Sequence, residues 1–79
     1  MQLNDAIINR IEELKKQRGW TQYKLSEESG VTQTTLISIK RKRSKDVGIS
    51  NIWKICNGFG ISVIEFFDSP LFKDIDELE

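Results

Sequence analysis

The residues with chemistry to offer cluster between Thr21 and Lys45. With Leu36 and Ile39 as a spaced apolar pair turned inward, Gln33, Thr34, Ile37 and Ser38 share the outward side of one helical segment near its start. A glutamine amide presents a donor and an acceptor side by side, matching the N6 and N7 edge of adenine. Thr and Ser hydroxyls bond to several bases, and Thr or Ile methyl groups suit the thymine methyl. Immediately behind runs the densest cationic stretch in the chain, Lys40, Arg41, Lys42, Arg43 and Lys45, which is suited to phosphates. Reaction chemistry is poorly provided for. There is no histidine, the one cysteine, Cys56, falls within an apolar helical stripe, and Glu27 and Glu28 lie on a solvated helix face. Neither catalysis nor a metal or other cofactor is expected.

The elements that position these residues are all helical. Ile7, Ile8, Ile11 and Leu14 recur at helical spacing after Asn4 or Asp5, either of which can cap, and Gly19 ends that helix behind Lys15, Lys16 and Arg18. Thr21 caps a second helix of about two turns, closed by Gly30, and Thr32 caps a third. Two short helices joined by a tight turn at Gly30 have the layout of a helix-turn-helix, spanning 21–40. After a basic loop, Ile49, Ile52, Ile55, Cys56 and Phe59 define a fourth helix starting near Ser50 and ended by Gly58 and Gly60. Ser62 opens a fifth, with Glu65 completing a capping box. Pro70 limits its extension. Beyond it, Leu71, Ile75 and Leu78 share a face, which predicts a short amphipathic helix that needs a surface to dock on. Trp20 and Tyr23, at the junction of the first two helices, are read as core packing, and so is Cys56.

Length and charge set the frame. The chain has 79 residues, 38% hydrophobic and 30% charged, which bounds it to one small folded domain over 1–69 followed by an acidic tail over 70–79. Its net charge of zero conceals an asymmetry. From Arg10 to Lys45 ten Lys/Arg face four Glu, a net of +6, whereas from Asp46 to Glu79 two Lys face seven Asp/Glu, a net of −5. A single cysteine rules out an internal disulfide. The start of the chain lacks the pattern of a signal peptide, and no stretch approaches the ~20 apolar residues of a membrane span, so a cytoplasmic setting without membrane attachment is expected.

The stretches GWTQYKLSEESGVTQTTLISI and ISNIWKICNGFGISVIEFF resemble the Cro/phage-repressor-like family, also called the XRE family. Gly19, Gln22, Leu25, Gly30, Val31, Leu36, Ile39, Ile55, Gly60, Ser62 and Phe67 carry the likeness, which covers roughly residues 7 to 67. The resemblance implies an all-α, five-helix phage-repressor-like domain that binds palindromic or near-palindromic double-stranded DNA as a homodimer and most often represses transcription. It places Gln33, Thr34, Ile37 and Ser38 against base edges and gives Gln22 a phosphate, which a helix start also favours. Thr21, Thr32, Thr35 and the cations Lys40, Arg41, Lys42, Arg43 and Lys45 are the further candidate phosphate contacts.

The chain departs from the family in places that matter. Relatives often pair a basic residue at position 15 with a glutamate at position 40, joining the first and third helices; here both are lysine, so that pair cannot form and Lys40 is left available to a phosphate. A glycine is usual where Lys42 stands, and Asp46-Val47-Gly48 replaces an Asn-Pro, so a less rigid start to the fourth helix is expected. Trp53 and Ile64 take positions that are often polar; with Leu71 and Phe72 they are expected to form a homodimer surface. The alternative to a DNA-binding regulator is an antitoxin or other protein-partner module of the same fold, whose acidic tail occupies a toxin or another partner.

Overall fold

The computed structural model describes residues 1–41 and 46–76. The described chain contains five α-helices, α1 (Leu3–Arg18), α2 (Gln22–Ser29), α3 (Gln33–Lys40), α4 (Ile49–Phe59) and α5 (Val63–Phe67), then a 3₁₀ turn at Pro70–Phe72. The all-α expectation holds, and the helix limits follow local chemistry. Thr21 Oγ1 accepts the backbone N–H of Lys24 at 3.1 Å, Thr32 Oγ1 accepts that of Thr35 at 3.2 Å, and Ser62 with Glu65 forms the reciprocal capping box. Each satisfies a backbone donor that a helix start leaves unpaired, worth about 1 kcal/mol. At the other end of α1, Gly19 takes a left-handed φ of 66° while the N–H of Trp20 returns to the carbonyl of Lys15.

One core joins these helices. Ile7, Ile11 and Leu14 of α1 meet Leu25 of α2, Leu36 and Ile39 of α3, Ile52, Ile55, Cys56 and Phe59 of α4, and Phe66 of α5. Phe66 and Ile55 are fully enclosed, and burial of each such side chain is worth roughly 1.5–3 kcal/mol. The cysteine lies among them, and burial pushes its thiol up from the ordinary value.

Several expectations need correction. The first helix begins at Leu3 with Gln2 as its cap residue, so Asn4 and Asp5 lie inside its first turn, where Asp5 suits the positive end of the helix dipole. Tyr23 is exposed, not packed: it stands about 200° around α2 from Leu25, the buried residue of that helix. Trp20 does pack, stacked on Phe59 with ring centres 5.2 Å apart, and Arg18 lies over both rings. Ile49 is 72% exposed, because it occupies the edge of the α4 stripe in the first turn.

Gly58 does not end α4, which continues to Phe59 and closes at Gly60. Its role is spatial. A Cβ on Gly58 would sit 2.8 Å from Ser29 Cα and 2.9 Å from Ser29 N, so the missing side chain is what lets the backbone at the end of α2 rest on α4. The expected C-terminal helix is replaced by the 3₁₀ turn, capped by Ser69 Oγ, with no helix through residue 76; Leu78 lies outside the described residues. Phe72 packs edge-on against Phe67 at 4.8 Å. Asp76 then reaches back to the chain start, its carboxylate 2.9 Å from the Met1 ammonium and its N–H on the Met1 carbonyl.

Candidate functional site

The turn between α2 and α3 fixes the site. Gly30 adopts a left-handed φ of 77°, Ser26 Oγ donates to the Val31 carbonyl at 2.7 Å, and Val31 N–H donates to Ser29 Oγ at 3.1 Å. Val31 itself is buried and anchors the turn in the core. The three-residue link therefore has its backbone held from both sides, and α3 leaves it in a set direction. Leu36 and Ile39 then bury one side of α3 and decide which residues face outward.

Gln33 and Thr34 are exposed in the first turn of α3; Ile37 and Ser38 stand one turn on, half-buried. The four form two adjacent rows at i, i+4 spacing on one face. That surface combines amide, hydroxyl and methyl groups without a charge, a composition that reads hydrogen-bonding edges and discriminates them by shape. Thr32 spends its hydroxyl proton on Thr35 Oγ1 at 2.9 Å, whereas the Thr35 proton is not committed by that pair. Thr21 accepts at its cap and keeps its own proton to donate.

Around this face lie the groups suited to an anionic backbone. Gln22, at the first position of α2, lines an open groove with Ile37, Lys40 and Arg41, so the start of α2 and the end of α3 converge. Lys40 and Arg41 are exposed there. Lys42, Arg43 and Lys45 lie outside the described residues. Trp53 and Ile64 are 58% and 82% exposed, while Leu71 and Phe72 are half-buried, with Phe72 against Phe67 of its own chain.

Lys40 is less free than the sequence implied. Glu12 of α1 receives Lys15 Nζ at 3.1 and 3.2 Å on its two oxygens, and its Oε1 stands 3.6 Å from Lys40 Nζ. A carboxylate between two lysines thus restores the α1 to α3 link that the Lys15 and Lys40 pairing alone forbids. Sequence reasoning missed Glu12, although its place three residues before Lys15 put it within reach of that lysine. It also missed Ser26 and Ser29, whose bonds depend on the path of the turn. Among the described residues no group of His, Cys, Asp and Glu is arranged to hold a metal ion, and no helix is long and apolar enough to cross a membrane.

The helix-turn-helix family model matches residues 11–66, from the inner half of α1 to the end of α5. The chain belongs to the helix-turn-helix family. A curated relative, the HTH-type transcriptional regulator SutR of Escherichia coli (strain K12), is 32% identical over 60 residues, which cover 76% of this chain and 33% of the relative. The chain therefore spans about a third of that relative's length. No solved structure matches significantly. Within the helix-turn-helix match, α2 and α3 with the Gly30 turn are the paired elements that name the family, and the exposed face of α3 is its outward surface.

Proposed function

We propose that this chain is a sequence-specific DNA-binding transcriptional regulator, a repressor that binds a palindromic operator as a homodimer. The observation that carries the reading is the uncharged, outward face of α3, Gln33, Thr34, Ile37 and Ser38, flanked by Gln22, Lys40 and Arg41 along one groove. In this reading α3 enters the major groove, Gln33 pairs with adenine, Thr34 and Ser38 bond to neighbouring bases, and Ile37 meets a thymine methyl. Thr21, Gln22, Thr32, Thr35, Lys40 and Arg41, together with the basic stretch through Lys45, grip phosphates and supply affinity without sequence information. Repression follows from occupying the operator, and the relative's description as a transcriptional regulator supports this class of function.

Homodimerisation sets two α3 helices about one duplex turn, roughly 34 Å, apart. The exposed Trp53 and Ile64 support a subunit contact on the α4 and α5 side, to which the half-buried Leu71 and Phe72 contribute only their remaining surface. The antitoxin or protein-partner alternative needs the acidic tail for a partner. Asp76 forms an exposed pair with Met1 of its own chain, and Glu77 and Glu79 of the tail lie outside the described residues. Selection of bound duplexes from a random pool by the purified chain, followed by sequencing, tests the proposal. Enrichment of a two-fold symmetric motif is expected; a pool that stays random after repeated rounds contradicts it.

A further inference from the structure

Glu12 holds two ammonium groups of unequal standing. Lys15 is 8% exposed and has both carboxylate oxygens within hydrogen-bond distance, so its charge is committed: a buried ammonium without a carboxylate bears its desolvation cost alone. Lys40 is the looser partner. Its Nζ is 3.6 Å from Oε1, beyond a normal hydrogen bond, and its side chain is 56% exposed. The same lysine lines the groove with Gln22 and Arg41, where a phosphate is proposed to run.

We propose that Glu12 is a positioning residue acting through Lys40: an electrostatic tether on α1 that holds this lysine back and sets how much it contributes to phosphate binding. The inference rests on the DNA-binding reading above. The carboxylate and a DNA phosphate compete for one ammonium, so engagement of the backbone by Lys40 is reduced by the attraction it must leave. Because Lys15 keeps the better geometry, its pairing survives when Lys40 swings away, and the tether can open without unfolding the link between α1 and its neighbours. The affinity of the α3 end is thus set from a helix outside the helix-turn-helix.

The test measures affinity of the full chain for a duplex recovered from the selection, across a salt series, for the native protein, Glu12→Gln, Lys40→Met and the double variant. Glu12→Gln is expected to bind severalfold more tightly and to steepen the slope of log affinity against log salt by up to about 0.9, the increment of one added phosphate contact. On the Lys40→Met background the same change is expected to do nothing. An equal gain on both backgrounds, or an unaltered slope, overturns the tether. Since Glu12→Gln also strips Lys15 of its partner, Glu12→Gln with Lys15→Met repeats the measurement without an unpaired buried ammonium. The steeper slope is expected again, and weaker binding at unchanged slope in both variants overturns the proposal. A native chain that binds no duplex at any salt overturns the DNA-binding reading itself, whereas native binding with no slope change on Glu12→Gln overturns the tether alone.

Discussion

Gly58 shows how much one absent side chain can decide. Alanine there gains helix propensity, about 1 kcal/mol in an exposed helix, yet its Cβ would fall 2.8 Å from the Ser29 backbone. The neighbour is main chain and cannot rotate away, so the overpacking cost wins. Gly58→Ala is expected to destabilise the fold by about 1–3 kcal/mol in urea denaturation. Cys56 gives a second check at this scale. Its thiol is buried and its ionisation shifted upward by desolvation. A folded value above the unfolded one means that this group's contribution is complete below the unfolded value near 9.0 and is lost as pH rises toward the folded one. Thiol labelling near neutral pH should therefore be slow in the native chain and should accelerate in denaturant with the unfolding transition. Rapid labelling of the native chain would place Cys56 elsewhere.

The helices repeat, at the next scale, a contrast between local and distant causes. Thr21, Thr32 and Ser62 were readable as caps because a cap bonds to a backbone three residues away, and Gly19, Gly30 and Gly60 as stops because each supplies a left-handed turn at its own position. Leu36 and Ile39 likewise revealed the outward face of α3 through periodicity alone. Gly58 escapes a sequence reading because its close neighbour, the Ser29 backbone, belongs to another helix, whereas Tyr23 and Ile49 stand off the buried stripes of their own helices. The C-terminal helix expected from Leu71, Ile75 and Leu78 needed a supporting surface; the chain instead turns at Pro70 and tucks Phe72 onto Phe67. Thr32 is the cap closest to the candidate site, since it opens α3 and also holds the Thr35 hydroxyl. Thr32→Ala should cost about 1 kcal/mol of stability by thermal denaturation. Thr32→Ser, which retains the oxygen, should recover most of it.

At the scale of the whole molecule, zero net charge and a basic body are compatible because the cations gather in the sequence between Arg10 and Lys45 while the later part of the chain is acidic. Glu12 refines that picture, since a carboxylate stands within the basic region itself and ties Lys40 to α1. The site was therefore legible in its residue types and its outward face, but not in its electrostatic wiring, which needed α1, α2 and α3 brought together. What unites the parts is the claim that α3 reads sequence while its surroundings grip phosphate. Fluorescence anisotropy with a selected duplex and a scrambled one, using the native chain and Gln33→Ala, tests that division most directly. The native chain should prefer the selected duplex; Gln33→Ala should lose about 1–3 kcal/mol on it and bind the scrambled one unchanged. Equal native affinity for the two duplexes, or an equal loss on both, would contradict the account.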